Sequence, residues 1–95
     1  MNTELIIIKE YCIRNQVDPE FIIQLESEGL IQISIIEDEQ YIHVSQLTLL
    51  DKYIRWHYDL AINIEGIDVI QNLLYKIDDM QKEILRLRER VRLLD

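Results

Sequence analysis

Ninety-five residues, 48% of them apolar, with a formal charge of −8 describe one small domain with a modest core and not a disordered chain. No apolar run reaches bilayer length, residues 5–8 are too few for the apolar segment of a secretory signal, and a single cysteine supports no disulfide framework. A cytoplasmic location is expected, and two glycines with one proline speak against phosphate loops, repeats and flexible linkers.

In chain order, residues 3–7 read as a short strand and residues 8–15 as a first helix turning Ile8, Tyr11, Cys12 and Val17 inward. A second helix starts clearly at Asp18-Pro19-Glu20: Asp18 caps, Pro19 takes the first helical position, and Glu20 meets the positive end of the dipole. It runs to about residue 28, where Gly29 is placed for a left-handed cap. Two short helices with a tight turn make a helix-turn-helix candidate. Ile31, Ile33 and Ile35 then alternate with Gln32, Ser34 and Ile36, which is strand periodicity. Glu37-Asp38-Glu39 forms a turn, and residues 40–44 return as a second strand. This is a hairpin wing whose turn has no glycine, which leaves its geometry open. Ser45 reads as the N-cap of a helix to about residue 60, with Leu47, Leu50, Tyr53, Ile54 and His57 on one face.

The last third organises the chain. Ile70, Leu73, Ile77, Met80, Ile84, Leu87, Val91 and Leu94 alternate steps of three and four, the a/d spacing of a coiled-coil seam. Asn63 is a plausible N-cap with Glu65 in the first turn, so one helix of about 45 Å is expected. Packing within the chain would leave its far end uncovered, since too few helices precede it. Pairing with a second copy through Ile77, Met80, Ile84, Leu87, Val91 and Leu94 is the expectation. Lys82, Glu83, Arg86, Arg88, Glu89 and Arg90 give the seam mixed-charge flanks. The expected architecture is mostly α with a small β-hairpin wing: a winged helix-turn-helix head over 1–62 and a dimerisation arm over 63–95, one domain overall.

Charge is uneven. Residues 1–75 carry thirteen acidic and four basic side chains, and residues 76–95 five acidic and six basic. An acidic head suits a basic protein partner or simple solubility. Catalysis has little to work with: His43, His57 and Cys12 are the only histidines and thiol, and no paired metal-ligand or nucleophile spacing occurs. The chain is expected to be no enzyme and to hold no metal or cofactor. Trp56 and the five tyrosines are not interleaved with basic residues, as an RNA-stacking surface would require.

The order helix-turn-helix, wing, connecting helix and arm resembles MerR-like winged-helix proteins. More specifically, the run from Arg55 through Asp59-Leu60, Asn63 and Gly66-Ile67 to Leu73-Leu74, with Glu10-Tyr11-Cys12 and Glu28-Gly29-Leu30-Ile31, resembles the CbpM family of chaperone modulators. That resemblance implies a small homodimer, its arms antiparallel, that binds the J-domain of a DnaJ- or CbpA-like co-chaperone and keeps it from stimulating Hsp70.

The residues themselves argue against DNA reading. Base edges and phosphates call for Arg, Lys, Asn or Gln, but the second helix offers Gln24 and no cation, and the wing tip is Glu37-Asp38-Glu39. The implied J-domain carries a basic helix, so the expected partner contacts are Glu20, Ile23 and Gln24 on the second helix and Asp59, Glu65 and Asp68 at the interhelical corner. A MerR-like DNA-binding regulator and a dimeric adaptor remain the competing readings.

Overall fold

A computed structural model describes residues 4–94. The elements are β1 (Leu5–Ile7), α1 (Ile8–Asn15), α2 (Pro19–Ser27), β2 (Ser34–Ile36), β3 (Glu39–His43), α3 (Leu47–Leu60) and α4 (Ile64–Leu94). Residue 3, the expected start of the first strand, lies outside the described residues, as does residue 95.

The helix-turn-helix closes through its caps. Gln16 takes a left-handed conformation at φ 57° and ends α1, and the Asp18 carboxylate accepts the Glu20 N–H at 3.0 Å. Gly29, at φ 76°, turns the chain out of α2 so that the Leu30 N–H reaches the Leu25 carbonyl at 2.9 Å. Only glycine adopts that backbone freely.

The wing differs from the sequence reading in three ways. First, the sheet has three strands in the order β1-β3-β2, because β1 pairs antiparallel with β3, Ile6 opposite Ile42. Second, the strand expected from Ile31 begins only at Ser34. The Gln46 side chain accepts the Gln32 N–H at 2.7 Å and donates to the Gln32 carbonyl at 2.8 Å, and the Tyr53 hydroxyl reaches the Leu30 carbonyl. Those groups are therefore satisfied without a strand partner, while Ile31 is buried in the core. Third, the turn is a two-residue loop between Ile36 and Glu39, which face each other. Glu37 and Asp38 both lie at positive φ, 51° and 66°, a primed turn built without glycine, and β3 accordingly starts at Glu39.

Ser45 does not cap α3. A 3-10 turn, Val44–Gln46, precedes the helix, and its cap is His43, whose Nδ1 accepts the Ser45 N–H at 3.0 Å. Asn63 does cap α4: its Oδ1 accepts the Gly66 N–H at 2.8 Å. A Cβ on Gly66 would stand 2.8 Å from Ile62 Cγ2 and 3.1 Å from that Oδ1, so the corner between α3 and α4 is tight because residue 66 has no side chain.

The core joins α1, α2, β3 and α3 to the start of α4. Ile8, Cys12, Val17, Phe21, Ile22, Leu25, Ile31, Ile42, Leu50, Tyr53 and Ile67 are buried together. Tyr11, Leu47, Ile54 and His57, expected inside, are half-buried. Burial, with Asp18 nearby, pushes the Cys12 thiol above its ordinary range, as befits a small apolar residue and not a nucleophile. Of α4 only Ile67 and Gln71 are buried, and every residue from 72 to 94 is exposed. Its local supports are three exposed pairs: Lys82–Asp78, Arg86–Glu83 and Arg92–Glu89.

Candidate interaction surfaces on the head and arm

Three aromatic rings hold α2 against the end of α3. Phe21 stacks on His57 with centroids 4.4 Å apart and 15° between planes, and Tyr58 meets both rings edge-on. The Tyr58 hydroxyl accepts the Asp18 N–H at 3.0 Å, which ties the start of α2 to the last turn of α3. The α3–α4 corner is set by Ala61, left-handed at φ 58°, and by His57, whose Nδ1–H donates to the Ile62 carbonyl at 2.9 Å. Carbonyls only accept, so this bond fixes the neutral ring's proton on Nδ1.

This clamp leaves one face of α2 free: Glu20, Ile23, Gln24 and Ser27 are exposed, although Ile23 only at 37%. At the end of α2 that face opens into a cleft of about 420 Å³, lined by Gln24, Ser27, Glu28, His57, Asn63, Ile64 and Glu65. Two carboxylates and no cation line it. Of the six expected partner contacts, Gln24 and Glu65 share the cleft, while Glu20 lies in the first turn of α2 and Ile23 beside Gln24. Asp59 is exposed at the end of α3. Asp68 turns elsewhere: it is half-buried, accepts from Asn72 Nδ2 at 3.3 Å, and with burial and Tyr75 helps raise the Tyr53 phenol to about 12.

Sequence reasoning passed over Glu28, His57, Asn63 and Ile64 as parts of one surface. Asn63 was legible as a cap and His57 as an inward-facing residue. That both line the same cleft as Glu28 depends on the angle between α3 and α4, for which no short sequence pattern exists.

The nucleic-acid side is equally concrete. No Lys or Arg stands on α2, and the wing tip is acidic. The head's cations among the described residues lie on α1 (Lys9, Arg14) and α3 (Lys52, Arg55), with Lys52 over the Trp56 ring at 5.9 Å. No group of three His, Cys, Asp or Glu side chains among the described residues is placed to hold a metal ion. No helix there is long and apolar enough to cross a membrane.

On the arm, the seam residues Ile77, Met80, Ile84, Leu87, Val91 and Leu94 are all exposed, from 45% at Leu87 to 85% at Leu94. They form an apolar stripe flanked by charge, left uncovered by the described residues of the chain.

A family model described as MerR HTH family regulatory protein matches residues 6–89. Comparison with curated proteins and with solved structures returns no match. The family match spans the head and most of α4, and the winged helix-turn-helix with a long terminal helix is the corresponding fold.

Proposed function

From the premise that this chain belongs to the MerR helix-turn-helix family of regulatory proteins, we propose that it regulates by binding protein and not by reading DNA. It is a non-enzymatic homodimer that holds the J-domain of a DnaJ- or CbpA-like co-chaperone and so blocks stimulation of Hsp70. The observation that carries this reading is the chemistry of α2. In a helix-turn-helix this is the element offered to a partner, and here its free face is Glu20, Ile23, Gln24 and Ser27, with no cation on the helix. Phosphates would be repelled by it, whereas a basic helix would be attracted, with Ile23 as the apolar anchor inside a polar rim.

The test is surface plasmon resonance against the J-domain at two ionic strengths. Glu20→Lys with Gln24→Lys should slow association and flatten its salt dependence, each rim change weighing roughly 0.5–1 kcal/mol. Ile23→Ala should act on dissociation instead. Salt-insensitive binding, unmoved by the charge changes, would take the docking face away from α2. A selection from random duplexes at physiological salt should enrich no motif; enrichment of one with nanomolar affinity would restore a DNA-binding regulator.

A further inference from the structure

The sheet of the wing has two sides, and the core uses only one. Ile42 of β3 belongs to the buried cluster, and Ile6, its partner on β1, packs against it. Successive side chains of a strand point to opposite faces, and residues directly opposite each other share one. Leu5, Ile7 and Tyr41 therefore lie on the outer side. Ile36 joins them, because Ser34 and Ile36 of β2 stand opposite Tyr41 and Glu39. Leu5, Ile7 and Tyr41 are half-buried, Ile36 is 47% exposed, and none of the four enters the core. An apolar sheet face is ordinarily covered by a second layer. On the inner side that layer includes α1, through Ile8 and Cys12, and no other helix among the described residues packs on the sheet to a comparable degree.

Size and charge say what fits the outer side. Three strands about 4.8 Å apart make a surface roughly 10 Å across, the width of one α-helix. The five residues of β3 run about 17 Å, the length of roughly three helical turns. The edge strand β2 has only three residues, which blunts pairing with an added strand, so the face and not its edge is on offer. Residues 4–7 and 34–43 carry Glu4, Glu37, Asp38 and Glu39 and no Lys or Arg. Such a rim repels phosphates, whether of nucleic acid or of an anionic membrane, and attracts a cationic protein surface.

We propose that the outer face of the wing sheet, formed by Leu5, Ile7, Ile36 and Tyr41, docks a basic amphipathic helix of a protein partner. The apolar stripe of that helix lies on the four side chains, and its Lys or Arg flanks meet Glu4, Glu37, Asp38 and Glu39. The sheet separates this surface from the core, and none of its residues belongs to α2. It is a second place for a basic partner, and the inference stands or falls apart from the role given to α2.

Backbone amide spectra of the full chain test this, titrated with a synthetic Leu/Lys helix whose leucines recur at i, i+3, i+4 and i+7. The signals of Leu5, Ile7, Ile36 and Tyr41 should move together. A peptide with Glu in place of every Lys should bind on the order of tenfold more weakly or worse. Ile36→Thr keeps a β-branched residue in the strand and should weaken binding of the Lys peptide about tenfold, with the head's thermal transition unchanged. Ile35→Thr is the control. Ile35 is more exposed, at 68%, but stands on the inner side, in a groove with Ile8 and Pro19, so its change should leave binding within about twofold. Absence of binding at millimolar peptide, signals that move only on α2 or the arm, equal binding of the Glu peptide, or equal sensitivity at Ile35 overturns the proposal. So does a lower dimer affinity of Ile36→Thr in sedimentation equilibrium, which would make this face a joint between copies of the chain.

Discussion

The head and the distal arm are both patterned apolar stretches, and they treat the pattern in opposite ways. In the head, side chains from four elements (α1, α2, β3 and α3) and from the loops at Val17 and Ile31 converge with Ile67 of α4 on one buried cluster. From residue 72 onward a stripe of equal regularity lies wholly in water. The hydrophobic effect acts alike on both, so the difference lies in geometry: the head's elements are short and can fold onto one another, whereas a straight helix cannot cover itself. An uncovered stripe that long is what a protein–protein surface looks like.

The largest expected effect follows from that contrast. Leu87→Asp with Val91→Asp places two carboxylates in the distal half of the stripe and should convert the proposed dimer to monomer in analytical ultracentrifugation. The head's circular dichroism and thermal transition should survive, since no core residue is touched. If the head melts as well, arm and head are one cooperative unit and the contrast fails. Leu50→Ala makes the converse break. Leu50 is fully buried, so its truncation should cost about 2–5 kcal/mol, read as a lower denaturant midpoint. It should leave the seam's self-association untouched in whatever fraction remains folded.

A pH experiment sharpens the same boundary with a smaller effect. Burial, then Tyr75 and Asp68, raise Tyr53 from 10.0 to about 12, and burial, then Asp51 and Cys12, raise Tyr11. Folded pKa values above the unfolded ones mean the unfolded chain ionises first as pH rises. Stability from these groups is thus complete below pH 10 and is lost as pH climbs from 10 toward 12. Phenolate absorbance should show Tyr53 and Tyr11 titrating late in the folded chain and normally in urea. Titration of Tyr53 at the same pH in the folded chain as in urea would mean the α3–α4 contact is open in solution.

How much of this could be read in advance depended on how local the cause is. The caps at Asp18, Gly29 and Asn63, the single long helix carrying the apolar spacing from Ile70 to Leu94 and the inward set Ile8, Cys12, Val17, Leu50 and Tyr53 were legible, because each is written within four residues of itself. The wing was legible in kind but not in extent. Ile31 and Ile33 keep strand alternation, yet Gln46, fourteen residues on, takes the backbone groups a strand would have paired. Ser45 failed as a cap for a similar reason, since His43 supplies a competing acceptor two residues earlier. The cleft was not legible as a unit: its residues come from α2, α3 and α4, brought together by the aromatic clamp of Phe21, His57 and Tyr58 and by the α3–α4 corner at Ala61 and Ile62.

The smallest expected effect lies at the wing tip, and it increases stability. Glu37 and Asp38 both sit in the left-handed region, where a side chain costs roughly 1–2 kcal/mol, although Asp tolerates it better than Glu. Glu37→Asn with Asp38→Gly supplies the residues a two-residue primed turn prefers. Stability should rise by about 1 kcal/mol, which for a chain of this size raises Tm by roughly 4–8 °C. Both positions are exposed and neither belongs to the buried core or the seam, so the gain should appear in the head's transition alone, with dimer affinity unchanged. The same pair removes two of the wing's three acidic charges. J-domain association should stay within about twofold if the free face of α2 is the docking face, as for exposed charges screened by salt. A marked drop in association rate would move the contact surface from α2 to the wing, while a failure to gain stability would show that the turn relaxes in solution to a conformation without positive φ.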